Sequence, residues 1–219
     1  MIPESDMYPI KTLRQQARIL ILLDGAEHAG LIPMGIIPFH GFEYLANVMA
    51  PVWDMPALNG KILKRKGGPF YPTLQRDLDR LVGLGMVQIS NVTHVQDSPK
   101  KWRLEGKYRL NRSMAQPAID YLHKLPDEER FSSFVSELAY AISALGEDEL
   151  ERAFVEDATY SDPETSDNNV VDFDEWRRRN PSVNAANYFD ELMPGGTKAT
   201  VGEKLHLYVR HLRRRVHAS

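Results

Sequence analysis

Between about residue 60 and residue 112 a helical period gives way to a strand period. Tyr71-Pro72-Thr73 opens an amphipathic helix in which Leu74, Leu78, Leu81 and Val82 form one stripe, while Gln75, Arg76, Asp79 and Arg80 point elsewhere. Proline suits the first helical turn, where its missing N–H costs nothing. Gly85 stands where a helix ends in a left-handed residue. Met86-Val87-Gln88-Ile89 reads as a short strand. Trp102 to Leu110 alternates as a second, with Trp102, Leu104, Tyr108 and Leu110 on one face. The polar stretch Asn91 to Lys101 between them makes the pair a long β-hairpin.

Two helices precede this unit. Leu13, Ala17, Leu20 and Leu23 recur at spacings of three and four and predict a helix over 12–30. Pro33, Gly35 and Pro38 mark 31–38 as a connector. Phe42, Leu45, Val48 and Met49 predict a second helix from Pro38 to Val52, ended by Pro51 and Pro56. Residues 57–69 read as a basic loop. Three short helices cannot close a core alone, and a hairpin covers the open side. The expected fold is mainly α with one β-hairpin: a winged helix-turn-helix over 10–112, followed by a helical C-terminal region.

Beyond 112 the pattern is helical. Met114, Ala118, Tyr121 and Leu122 form a short face. Pro126-Asp127-Glu128-Glu129 starts another helix with acids at its positive end, and Phe131, Phe134, Val135, Leu138, Ile142 and Leu145 carry its apolar stripe. The expected divisions are a helical extension over 113–158, an acidic linker with short helical pieces over 159–199, and a basic helix over 200–219. Leu205, Tyr208, Val209 and Leu212 share one face of that last helix.

Charge is unevenly distributed. Residues 61–112 hold twelve bases against four acids, a local net charge of +8, while the whole chain is at −3. Residues 145–175 hold twelve acids and one arginine, a local −11. A basic surface attracts DNA through counterion release, and helix and wing positions carry phosphate contacts in this fold. The candidate nucleic-acid-binding residues are therefore Lys61, Lys64, Arg65, Lys66, Arg76, Arg80, Lys100, Lys101 and Arg103. The same face could instead meet an acidic protein, including this chain's own acidic segment. That segment reads as a solvated linker. Its large aromatics Phe173 and Trp176, together with Tyr208 and Leu212 of the last helix, are the candidate partner contacts. The cluster Arg213-Arg214-Arg215 reads as favourable cations at a helix C-terminus.

Chemistry is poorly served. The chain has no cysteine, which excludes disulfides, cysteine-ligated zinc, iron–sulfur clusters and a cysteine nucleophile. His28, His40, His94, His123, His206, His211 and His217 show no metal spacing such as H-E-x-x-H. His40 reads as a capping or core residue. Gly67-Gly68-Pro69 lacks the strand and the lysine–hydroxyl pair of a phosphate loop. No enzymatic activity, catalytic residue, metal or cofactor is expected. The N-terminus has neither a basic nor an apolar leader region, and the run Ile19–Leu23 is far short of the ~20 residues of a membrane span. A soluble, cytoplasmic protein is expected.

The helix around Leu13–Leu23, the Tyr71–Val87 helix-to-strand unit and the helical remainder resemble the middle, accessory component of ABC-three-component systems, which include Lamassu-type bacterial defence. That resemblance implies a non-enzymatic subunit linking an SMC-like ATPase to an effector nuclease in an anti-phage or anti-plasmid complex, with double-stranded DNA as a further partner and no membrane. Residues 12–112 are also similar to winged-helix transcription regulators, which implies a stand-alone DNA-binding protein.

Overall fold

The computed structural model describes residues 4–56, 61–65, 68–98, 101–162, 170–172 and 180–218. The elements in chain order are α1 (Glu4–His28), β1 (Met34–Gly35), α2 (Ile36–Met49), β2 (Lys61–Arg65), β3 (Gly68–Phe70), α3 (Pro72–Gly83), β4 (Val87–Ser98), β5 (Lys101–Leu110), α4 (Arg112–Leu122), α5 (Pro126–Ile142), α6 (Glu147–Val155), β6 (Val170–Asp172), α7 (Pro181–Leu192) and α8 (Val201–Ala218). The chain is mainly α, with two small antiparallel sheets.

The five consecutive residues Ile19 to Leu23 are each at most 3% exposed. A helix buries five in a row only when it has neighbours on every side. Helices α3, α4 and α5 and strand β5 supply them for α1. The buried surface of α1 therefore begins where this run begins; Leu13, expected on the inner stripe, is 63% exposed.

Helix α3 follows the sequence closely. Leu74, Leu78 and Leu81 are buried, and Gly85 closes the helix at φ 72°. The N–H of Gly85 donates to Val82 O and that of Met86 to Leu81 O, so the turn uses helix-end carbonyls that would otherwise lack donors. Asn111 then secures the next helix: its side chain donates to Gly85 O at 2.8 Å and its backbone N–H to Met86 O at 2.9 Å.

The hairpin is longer than expected. Strand β4 runs to Ser98 and β5 starts at Lys101, so most of the polar stretch is ladder rather than loop. A bulge interrupts it between Ser90 and Thr93, where Asn91 has φ 51°. Strand β1 pairs with β5 at Met34–Tyr108 and Gly35–Lys107, giving the order β1-β5-β4. The expected single hairpin is thus part of a three-stranded sheet.

A second sheet, of order β3-β2-β6, corrects the reading of 57–69 as a loop. Ile62 is 1% and Lys64 8% exposed, which is the period-two burial of a strand. The third strand, β6, comes from the expected acidic linker and pairs as Lys61–Asp172, Ile62–Val171 and Leu63–Val170.

The C-terminal stripe from Phe131 to Leu145 is buried as expected. Helix α5 packs on α1, and α8 packs on α5, α6 and α7. On α4, by contrast, Ala115 and Ile119 face inward, while Met114 and Tyr121 are 51% and 63% exposed. One continuous cluster of buried side chains reaches from Ile19 to Val216, so the expected divisions share a core. Helix α7 lies inside the expected 159–199 linker and buries Ala186 and Ser182.

Helices α2 and α6 meet at Gly41, where a β-carbon would fall inside the Phe154 ring. The G41A variant must push apart two fully buried surfaces, and overpacking of this kind costs about 1–3 kcal/mol. Thermal unfolding should show a clearly lowered Tm for G41A.

Candidate nucleic-acid and partner interface

The expected nucleic-acid residues fall in three places. Arg76 and Arg80 project from the outer side of α3, with side chains 57% and 51% exposed. Both are drawn to one carboxylate: Asp77 Oδ1 lies 3.7 Å from Arg76 Nε and 3.3 Å from Arg80 Nη1. Asp77 is buried and neutralises part of the charge that these arginines would otherwise offer. Asp79, on the same exposed side, accepts from Gln75 at 2.9 Å. The outer face of α3 is therefore mixed in sign.

Lys64 is not on an open surface. Its Nζ donates to Asp162 O at 3.4 Å and sits 5.4 Å from the centroid of the Tyr160 ring. A cation over an aromatic face gains from the ring quadrupole, more so when desolvated. Lys61 and Arg65 lie on the same strand, and Lys101 and Arg103 lie on β5. Lys66 and Lys100 lie outside the described residues, as do the expected partner contacts Phe173 and Trp176.

Tyr208 and Leu212 belong to the interior, with exposures of 1% and 0%, which corrects their reading as partner contacts. Leu212 is in the core cluster. Tyr208 serves a buried carboxylate, Asp157, which is 0% exposed although it stands in the acidic run read as solvated. Asp157 accepts from Tyr44 Oη at 2.6 Å, Tyr208 Oη at 2.7 Å and Ser182 Oγ at 2.7 Å, and from the backbone N–H of Thr159 at 2.9 Å and of Tyr160 at 3.2 Å. Burial, then the negative charge of Asp157, pushes both tyrosine hydroxyls far above their usual range, so they stay protonated as donors. The constellation ties α2, α7 and α8 to the segment after α6. Local sequence gave no sign of it, because each member is ordinary within its own window.

The acidic stretch has a second inward use. Glu149 of α6 and Glu156 at its C-terminal cap meet Arg213 at 3.1 Å and Arg215 at 3.2 Å, and His217 lies 2.6 Å from Glu149. The C-terminal arginines are in part an ion-pair seam with α6. The backbone N–H of Gly146, then Arg213, lowers the Glu149 carboxyl to about 2.

His40 is a core residue, 2% exposed, and its Nδ1 accepts the backbone N–H of Tyr71 at 3.2 Å. Among the described residues no group of three or more metal-type ligands comes together, and no helix is long and apolar enough to cross a membrane. A hollow of about 630 Å³ lies between the turn after α1, the β1-β5-β4 sheet and the start of α6. Ile32, Ile37, Leu145 and Leu150 line it, with Asn91 and Thr93 at one side. No protein-family model, curated protein or solved structure matches the chain.

Removing the Asp157 carboxylate leaves two tyrosine hydroxyls and a serine in the core without their acceptor. At roughly 1–3 kcal/mol for each buried group left unsatisfied, D157A should lower unfolding stability in urea several-fold more than Y44F, which removes one donor. The depressed Glu149 contributes stability that is complete above its unfolded pKa near 4.5 and is lost as the pH falls toward about 2. Amide protection factors over the last turns of α8, taken relative to intrinsic exchange at each pH, should fall through that window, and E149Q should abolish that fall.

Proposed function

We propose that this chain is a non-enzymatic accessory subunit of a DNA-associated protein complex, built on a winged helix with a helical C-terminal extension. Several features support the winged-helix reading. The order is α1-β1-α2-β2-β3-α3-β4-β5, with β2 and β3 in a separate sheet, the sheet order of the hairpin is β1-β5-β4, and Asn111 and Gly85 fix the exit from α3. What carries the choice of an accessory subunit is the mixed charge of α3. Arg76 and Arg80 share the buried Asp77, and Asp79 stands beside them. A helix that reads base edges depends on arginines free to form bidentate contacts; an interface helix gains from having both signs. The resemblance to the middle component of ABC-three-component systems names the partners in this reading: an SMC-like ATPase and an effector nuclease, in anti-phage or anti-plasmid defence.

The second reading, a stand-alone winged-helix regulator, draws on the hairpin. Strands β4 and β5 are 12 and 10 residues long, long enough for a wing, and Lys101 and Arg103 lie in the first three residues of β5. Light scattering coupled to gel filtration separates the two. The accessory subunit runs as a monomer near 25.0 kDa alone and co-elutes with an SMC-like ATPase encoded beside it. A stable dimer that binds a short palindromic duplex and ignores the ATPase would replace this reading with the regulator.

A further inference from the structure

The hollow of about 630 Å³ is walled by both halves of the chain. Ile32 and Ile37 form one wall, from the connector before α2 and its first turn. Leu145 and Leu150 form the other, from the turn into α6 and its first turn. Both isoleucines are only half-buried, so part of their apolar surface opens on the hollow. Ligand sites run to about 300–1,000 Å³ and gather at junctions between structural units. The sheet is irregular where it meets this space. The β4–β5 ladder skips Asn91 and Val92, between the pairs Ser90–Lys107 and Thr93–Glu105, and Asn91 takes φ 51°. Bulges are common beside binding sites, where they re-aim a side chain. Gly106 stands opposite, and a β-carbon there would lie 2.6 Å from Ile89 Cδ1. Asn91 and Thr93 thereby bring polar groups to an otherwise apolar recess.

Side chains set the electrical sign of the recess. Helices α1 and α5 end at its rim and α2 and α6 begin there, so two negative and two positive helix ends offset one another. Its described lining side chains hold two carboxylates, Glu105 of β5 and Glu151 of α6, against one ammonium, Lys107 of β5. That leaves a net charge of −1, however these three pair among themselves. Glu105 is half-buried, so its charge is screened less than a fully solvated one. We propose that this hollow binds a small organic cation, an ammonium head on an apolar body. The body lies between the isoleucine and leucine walls. The head lies on the sheet side, where Asn91 and Thr93 add hydrogen-bond acceptors to the acids. The inference goes beyond the subunit role and does not depend on it. Its occupant touches the hairpin on one side and the α5–α6 turn on the other, and so restrains the hairpin against the helical region.

The test titrates the full chain with three probes that share a phenyl body, read by amide chemical shifts. They are 2-phenylethylammonium, the neutral 2-phenylethanol and the anionic 3-phenylpropionate. Affinities should be millimolar for probes this small, and the amides of Gly30, Asn91, Gly106 and Leu150 should shift together to saturation. The cation should bind about fivefold tighter than the alcohol, and the anion weakest. E151Q removes a carboxylate from an exposed position of α6 and should cancel the preference for the cation. The double variant E105Q/E151Q takes the lining from −1 to +1. It should make 3-phenylpropionate the tightest of the three while leaving 2-phenylethanol unchanged, an inversion that a merely structural role would not produce. T93W fills the hollow and should abolish the shifts from all three. A wild-type chain that binds the anion as tightly as the cation overturns the proposal, as do shifts that never saturate or that map away from the hollow; that comparison needs no variant to fold. A cation preference that survives in folded E105Q/E151Q overturns it as well. Co-elution with an ATPase bears on the subunit reading alone, so either idea can fail without the other.

Discussion

The fold depends on one buried carboxylate. Asp157 has no exposure, and its charge is met by two tyrosine hydroxyls, a serine hydroxyl and two backbone amides. Burying a charge is costly unless hydrogen bonds replace its hydration. The donors come from α2, α7, α8 and the turn after α6, so the carboxylate is satisfied only when all four are in place. It therefore acts as a register mark for the assembled protein. Thr159, Asn180 and Ser182 extend the network, and Asn180 reaches back to Val48 O at 2.9 Å. The C-terminal helices are thereby fixed to the N-terminal module by directional bonds as well as by apolar contact.

Apolar contact is centred on α1. Its run from Ile19 to Leu23 is enclosed by helices from both halves of the chain. The flank of this helix carries the polar junction with α4, where Arg112 reaches Asp24 at 2.6 Å and Glu27 at 3.1 Å. Arg112 follows directly on the hairpin, so the sheet, the first helix and the C-terminal helices are referenced to one another at this point. Arg18, earlier in α1, lies 4.0 Å from the Phe131 ring centroid of α5. Its burial lowers the guanidinium to about 10, which still leaves it charged at neutral pH.

Local net charge is a poor guide to which surface is charged. The +8 of residues 61–112 includes Arg112, which is paired with α1, Lys64, which is covered, and two arginines of α3 that share Asp77. The −11 of residues 145–175 includes Asp157 in the core and two glutamates in the seam with α8. Opposite charges that look separated along the chain are neighbours in space.

The sequence by itself determined the helices with strong period and clear stops. The stripe of α3, its proline entry and its Gly85 exit, and the series from Phe131 to Leu145 are local patterns whose meaning survives in any compact context. It also determined that a hairpin follows α3, since alternation in Trp102–Leu110 needs only a half-buried sheet. Tertiary structure decided the rest. The basic segment became a strand because β3 and β6 were there to pair with it, and β6 is about a hundred residues away in the chain. Met114 and Tyr121 faced outward because α1 took the other side of α4. Tyr208 and Leu212 went inward because α5, α6 and α7 cover that face of α8. Asp157 became a structural centre because three distant hydroxyls converge on it, from Tyr44, Ser182 and Tyr208, and no window of sequence records where distant donors will be.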